Sequence, residues 1–562
     1  MVQIKISDPV SKIKETLQIE KGTLLRTLAV KYSENRNLPI LGAMYNNQVV
    51  DFDTEVLEDG DIDWLDMSSY YGMTIYKQTM IMLVAHVARE LFPHWTLHVN
   101  QAFGQHCYCE FEGTEKPSIR TLELIEEQMR GMIVADEPIV RTILSAKEAL
   151  PILVQGGFSE AASLLKELHM KKIRLYRMDN QVFHSFHILA PSAGSLRLFG
   201  LMPFESGFLI RFPDYKMPGV LAPLAEVPKL VSVVKETKHW TKTLNVYNAL
   251  GLFKVVEQGP KSANQLIHVA EALQEKYIAN LADKIYEDRD RLRVILIAGP
   301  SSSGKTTFCY RLAIQLRVLG LRPVTLSTDD YFVNRSDTPR DENGGYDFES
   351  LKAIDIDLFN SNLQSLIDGK PIKAPCFDFR EGCRLEDAKV LKLEAGHPVI
   401  VEGIHALNEA LTPSINRARK FKIYISSLVQ IDIDSYNRVS TSDSRLLRRL
   451  VRDAHYRSKT AEDTLIQWPS VRRGEEKYIF PYQEDSDAMF NSALIYETSV
   501  FKKYATPLLQ QVTPAIPQYA DAQRLLHMLS YYPEIDDAAV PLNSILREFI
   551  GGSSIHDWVK SP

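Results

Sequence analysis

The chain has 562 residues, 45% apolar and 24% charged, with 65 basic against 71 acidic side chains and a net charge of −6. That length exceeds a single hydrophobic core and predicts three or four globular domains. The slightly acidic balance excludes a global basic field for nucleic acid or anionic membrane, and five scattered cysteines exclude a secreted disulfide framework.

The opening MVQIKISDPVSKIKE has no apolar core of signal-peptide type, and no apolar run is long enough to span a bilayer. The expectation is a soluble cytoplasmic protein with no membrane partner.

Residues 1–66 combine a strand-like VQIKI, a helical TLLRTLAVKY and further strands in ILGAMYNNQVVDFDTEV and GDIDWLDM, with a turn at Asn46-Asn47. A strand, a helix and more strands in that length predict a small β-grasp. Residues 67–230 mix helices (KQTMIMLVAHVARELF, TLELIEEQMRGMIV, PILVQGGFSEAASLLKEL) with the strand CYCEFE, an α+β pattern. Residues 231–284 read as a helical connector.

From 285 to 515 the rhythm changes. RVILIAG, RPVTLST, HPVIVEG and KFKIYIS are apolar strands, and GKTTFCYRLAIQLRVLG and DLFNSNLQSLIDG are helices. Apolar strands alternating with helices predict a parallel sheet covered on both faces, so the whole is a multi-domain α/β chain. Residues 516–562 read as a helical tail with a polar end.

Gly299-Pro-Ser-Ser-Ser-Gly304-Lys305-Thr306 fits G-x-x-x-x-G-K-[ST] between a strand and a helix. Glycines let backbone N–H groups turn toward phosphate oxygens, and the helix that follows presents its positive end to the same anion. Lys305 adds a mobile charge, and the Thr306 hydroxyl is a candidate ligand for Mg²⁺. The expected nucleotide-binding set is Gly299, Ser301, Ser302, Ser303, Gly304, Lys305, Thr306 and Thr307, with ATP and Mg²⁺ as cofactors.

The next strand ends in TLSTDDYF, where ligands sit in α/β folds. Asp329 is the candidate general base for an acceptor hydroxyl, with capping or metal binding as the alternative for one of the Asp329–Asp330 pair. VIVEG puts Glu402 at another strand end as a candidate Mg²⁺ ligand, or else a structural carboxylate. In SRLLRRLVRDAHYRSK, Arg445, Arg448, Arg449 and Arg452 recur at helical spacing, opposite Leu446, Leu447, Leu450 and Val451. With Arg457 and Lys459 this row is suited to close over phosphates as a lid.

The stretch from about 293 to 510 resembles the uridine kinase and phosphoribulokinase family of P-loop kinases, through GPSSSGKTTF, LSTDDYF, GGYDFES, IKAPCFDFREGCR, VIVEGIHAL and SRLLRRLVRD. The resemblance implies Asp329 as base, Asp347 on the ribose hydroxyls, Arg449 and Arg452 on ribose and phosphates, and Arg457 and Lys459 in the lid, with Arg457 also binding the nucleotide. It makes Asp329, Lys305 and Arg452 the catalytic set. It puts Phe332, Tyr346, Asp347, Phe377, Arg384, Arg449 and Lys459 on the acceptor side. The chain departs from the pattern where Phe377 replaces the usual tyrosine, Gly382 stands where a histidine is expected, and Lys459 replaces an arginine. The groups that read the base are thus partly replaced.

Residues 1–66 resemble a TGS domain, and residues 67 to about 225 resemble the editing-type domain of threonyl-tRNA synthetases, through VAHVARELFP, CYCEFE, IEEQMRGMIVADEPIVRTILSAKEAL and FHSFHILAPSAG. The editing residues would fall at Gln78, Met82, Phe183 and His187, so three of the four groups are missing and hydrolysis there is not expected. His94, His98 and His106 near Cys107 and Cys109 match no tetrahedral zinc spacing.

The leading expectation is ATP-dependent phosphorylation of the 5′-hydroxyl of a uridine- or cytidine-type nucleoside. The alternatives are a kinase of another sugar or phosphosugar, and an RNA- or ribosome-associated regulator that uses the kinase-like domain as a nucleotide switch, with contacts through the N-terminal modules.

Overall fold

The computed structural model describes residues 1–555 apart from 9–12, 34–35, 114–115, 341–343 and 379–380. The polar end of the tail, 556–562, and two residues of the IKAPCFDFREGCR stretch therefore lie outside the described residues.

Five short strands form the sheet that carries the phosphate loop: β1 (Val294–Ala298), β2 (Val324–Ser327), β3 (Val399–Glu402), β4 (Lys420–Ser426) and β5 (Ala488–Asn491). Their order is β2-β3-β1-β4-β5 and every neighbouring pair is parallel, as expected. Every residue of β1 is buried. Ile295 and Ile297 enter one core while Val294, Leu296 and Ala298 enter another, because successive side chains point to opposite faces. Helix α1 (Lys305–Val318) follows β1, and α2 (Thr441–Tyr456) and α3 (Ala461–Tyr478) follow β4. Parallel pairing brings the C-terminal ends of β1, β2 and β3 to one edge, with Ser327 and Ile297 both opposite Glu402.

In the front part, Val2–Asp8 pairs antiparallel with Ile13–Ile19 and parallel with Gly60–Leu65, which continues antiparallel to Gly42–Tyr45 and then Gln48–Val50. Asn46 and Asn47 turn between the last two strands with φ of +49° and +59°, the left-handed pair that a tight hairpin turn requires. The strand Ile13–Ile19 was not foreseen. Next come a 22-residue helix, Tyr70–Leu91, a four-stranded antiparallel sheet that includes His106–Glu112, and a three-stranded sheet of Ile139–Ser145, Lys172–Met178 and Gln181–His184. Three helices, Pro228–Leu244, Ala249–Glu257 and Pro260–Glu287, lead to β1.

One apolar core runs without interruption from helix Tyr70–Leu91 through the Ile295 face of β1 to the C-terminal helix Tyr519–Ser530. Polar bonds stitch the same seam. The Phe186 N–H donates to Asn437 Oδ1 (2.8 Å), the Val99 N–H to the Ser435 carbonyl (2.9 Å), Gln101 to the Val429 carbonyl (2.6 Å) and the Tyr71 hydroxyl to Asp521 (2.9 Å). Gln78, Met82 and Phe183 are buried in the front part, and the His187 ring packs against Phe186. His106 is buried and bonded to the Pro223 carbonyl (3.1 Å), and His98 pairs with Glu112 (3.0 Å).

Three histidines lie along this seam. His184 Nε2 is 3.0 Å from the Tyr531 hydroxyl, and the His527 ring stacks on Phe186 at 4.9 Å. Burial, with nearby arginines adding to it, holds His184 and His527 down at about 4 and His187 at about 3. Unfolded histidines titrate near ~6.5, so the neutral folded forms contribute stability that is full above that pH and is lost as pH falls toward 4. Denaturant unfolding at pH 7.5 and pH 5 is expected to show the loss at pH 5. His527→Phe, which keeps an aromatic ring on Phe186, is expected to shrink it; equal pH dependence in both proteins would contradict the assignment.

Candidate active site

The phosphate loop joins β1 to α1. A side chain at Gly299 would collide with the Ile425 carbonyl oxygen, and Gly304 takes a left-handed φ of +84°. Both positions need glycine for backbone reasons. Lys305 Nζ folds back on the Gly299 and Pro300 carbonyls (3.0 and 3.2 Å). The buried hydroxyls of Ser302 and Ser303 have no protein partner, which suits a loop built to meet phosphate oxygens.

Helix α2 braces this loop from below. Arg445 donates to the Ser301 carbonyl (3.1 Å), Arg448 to the Ser302 carbonyl (3.3 Å) and Arg449 to the Ser301 hydroxyl (2.8 Å). The arginine row is therefore not one open lid. Arg445 and Arg448 are 1% and 0% exposed and paired with Glu475 and Glu497. Glu475 accepts from both Arg445 and the Ser301 N–H (3.0 Å), so one buried carboxylate on α3 ties α2 to the loop.

The C-terminal end of the row is different. Arg449, Arg452 and Arg457 converge on one fully buried carboxylate, Asp453. Arg452 and burial push the Arg457 guanidinium down to about 10, and burial lowers Arg449. Three guanidinium groups crowded around Asp453 form a cluster of the kind that favours anions. Lys459 donates to Gln467 (2.7 Å).

Carboxylates crowd the opposite side. Asp329 and Asp330 lie in the short turn after β2, where the Asp329 N–H donates to Ser327 Oγ (3.3 Å). Burial and then the Asp329 charge push Asp330 up to about 6 and Glu402 to about 7. Glu402 accepts from the Ser327 hydroxyl (2.8 Å) and the Thr306 hydroxyl (3.4 Å). Glu349 is raised to about 7 by burial and then by Glu475, and it packs on Gly474 of α3, where a side chain would collide with it. Among the described residues no three His, Cys, Asp or Glu side chains converge on one point. A carboxylate and a hydroxyl side by side suit a hard cation of the Mg²⁺ kind, which takes few protein ligands and keeps water and phosphate oxygens.

On the acceptor side the Phe332 and Phe377 rings lie 5.7 Å apart. Asp347 accepts from the Tyr478 hydroxyl (3.0 Å), and Arg340 covers the Tyr346 ring at 3.7 Å. Arg384 is engaged by Asp355 (2.9 Å) and by the Phe332 and Tyr331 carbonyls (3.0 and 3.3 Å). Gly382 has a φ of +72°, and the Arg335 guanidinium fills the space that a side chain there would need.

Sequence reasoning missed Asp453, Glu475, Glu497 and Glu349. Asp453 was within reach of it, since it stands four residues after Arg449 and four before Arg457, the spacing of helical ion pairs. Glu475 and Glu497 lie 30 and 49 residues from their arginines, and no local pattern announces them.

A parallel sheet whose first strand opens through a glycine loop into a helix, with acids and arginines at the same edge, defines a nucleotide-binding P-loop fold. Residues 294–499 match the model of the phosphoribulokinase/uridine kinase family. A uridine kinase of Staphylococcus epidermidis is 32% identical over 196 residues, 34% of this chain and 84% of that one. A uridine kinase of Ligilactobacillus salivarius is 29% identical over 195 residues, 34% of this chain and 82% of that one. The solved structure of a possible uridine kinase from Bacillus stearothermophilus is 18% identical, with a TM-score of 0.27, covering 38% of this chain and 97% of that one. The chain belongs to the phosphoribulokinase/uridine kinase family. Its P-loop part is that of a nucleotide-binding phosphotransferase.

Proposed function

We propose that the protein transfers the γ-phosphate of ATP to the 5′-hydroxyl of a uridine- or cytidine-type nucleoside. The carrying observation is the juxtaposition at one sheet edge of the Gly299–Thr307 loop, the half-buried Asp329 and the Arg449–Arg452–Arg457 cluster. In this reading the loop and Lys305 hold the triphosphate, Arg452 and Arg457 neutralise charge on the transferred group, and Asp329 accepts the acceptor's proton. Thr306 and Glu402 would hold Mg²⁺, which when bound would supply positive charge against the phosphates. Asp347 orients the ribose hydroxyls, Phe332, Tyr346 and Phe377 flank the base, and Arg384, Arg449 and Lys459 complete the acceptor side.

The domain reading goes with it. Residues 1–66 form a TGS-like β-grasp, supported by a mixed five-stranded sheet with the first and last long strands parallel at its centre. Residues 67–230 form an editing-like α+β unit, 231–284 a connector, 285–515 the kinase and 516–562 the tail.

Incubation with Mg-ATP and uridine or cytidine tests the acceptor. The expected product is the nucleoside 5′-monophosphate, identified by mass and by comparison with 2′- and 3′-monophosphate standards. Binding of ATP with both nucleosides left unphosphorylated would overturn the nucleoside assignment.

A further inference from the structure

The C-terminal segment enters the phosphate site. The Thr307 N–H and hydroxyl, in the first turn of α1, both donate to one oxygen of Glu548, at 3.2 and 2.8 Å. A helix of 14 residues thus directs its positive end and two donors at a carboxylate from 241 residues downstream. Beside it, the side chain of Ile545 lies 2.5 Å from where a Cβ on Gly304 would stand. Glu548 is 9% exposed and Ile545 is fully buried.

The segment is held there by its own bonds. Ser544 donates to Glu271 (2.5 Å), Arg547 donates to Asp537 (3.2 Å) and to the Val540 carbonyl (2.9 Å), and the Phe549 ring lies 5.1 Å from the Arg448 guanidinium. Gly551 and Gly552, both at positive φ, follow directly, and the Ser554 N–H donates back to the Leu542 carbonyl (3.0 Å).

We propose that residues 544–550 are an internal lid that occupies the nucleotide's phosphate site through Glu548 and must withdraw for ATP to bind. The proposal rests on reading the loop as the ATP site. A P-loop gives its backbone N–H groups and first-turn donors to the α- and β-phosphates. Glu548 already uses the pair on Thr307, and its charge repels a polyphosphate brought to the same turn. Freeing the donors requires Glu548 to leave the first turn of α1, and the 544–550 segment that carries it to move with it. The apparent affinity for ATP is then the intrinsic affinity reduced by the fraction of molecules whose lid is open.

Calorimetric titration of the full chain with Mg-ATP, for the wild type and Glu548→Gln, tests this, together with hydrogen exchange of the wild type with and without saturating Mg-ATP. The amide carboxamide keeps the shape and loses the charge, which removes a charge-assisted pair of bonds. The expected result is at least tenfold tighter binding by Glu548→Gln, and faster exchange of the 544–550 amides in the wild type on adding Mg-ATP. The exchange arm needs no variant, so it stands if Glu548→Gln fails to fold. Equal or weaker binding by the variant, or unchanged exchange at saturation, overturns the lid while leaving the loop as the ATP site. Absence of Mg-ATP binding in both proteins overturns the reading of the loop itself, and the lid with it.

Discussion

Asp329→Asn is expected to lower the rate of phosphoryl transfer by ~10²- to 10⁴-fold, the range for loss of a positioned general base. Asp329 sits in the turn after β2, with its backbone N–H on Ser327, and Glu402, which accepts from Thr306 of α1, ends the neighbouring strand. The amide is isosteric and cannot take a proton. The loss should therefore fall in kcat, with the Kd for Mg-ATP changed by less than about threefold. Its charge also contributes to the raised Asp330 and Glu402 carboxyls, so Asn at 329 should let both ionise at lower pH. A variant that loses Mg-ATP affinity while keeping kcat would make Asp329 a positioning residue for the nucleotide instead.

Glu475→Gln is expected to destabilise the protein by about 3–5 kcal/mol, the cost of leaving a buried charge without its partner. Glu475 is 0% exposed, and it faces an Arg445 that is 1% exposed. Burial alone would raise the Glu475 carboxyl, but Arg445 outweighs it and holds the group below its ordinary range. A depressed carboxyl contributes stability that is present above its unfolded pKa and lost as pH falls through the folded value. The variant should therefore unfold earlier in denaturant at pH 7 and differ less from the wild type in acid. Because Glu475 also accepts from the Ser301 N–H, the loop should loosen, seen as faster exchange of the 299–304 amides. A stability change under about 1 kcal/mol would mean that Arg445 finds another acceptor.

What was legible in the sequence follows from what each kind of residue reports locally. β1 and β3 are apolar runs bounded by turn residues, so the parallel sheet and the loop between β1 and α1 could be read directly. The turn at Asn46-Asn47 was legible because few residues other than glycine and asparagine accept positive φ. In the strand Ile13–Ile19, with the sequence IKETLQI, residues 14–19 alternate between exposed and half-buried, but the polar residues among them hid that pattern. The lid was invisible for a different reason. Glu548 lies in a four-residue helix, and only the fold brings it to Thr307. In the same way the basic face of α2 read as a lid, because the acids that bury half of it belong to α3 and to the helix that begins at Glu497. The front half was legible as elements, but its seam with the kinase part was not, since apolar faces do not name their partners.

The measurement that bears most directly on the account is ADP release from Mg-ATP across a panel of nucleosides, free sugars and phosphosugars, followed by identification of the phosphorylated product. Slow release is expected without an acceptor, with strong stimulation by a uridine- or cytidine-type nucleoside and the phosphate on its 5′-oxygen. ATP turnover that no hydroxyl compound accelerates, accompanied by tight, salt-sensitive RNA binding, would contradict it and mark the P-loop part as a nucleotide switch.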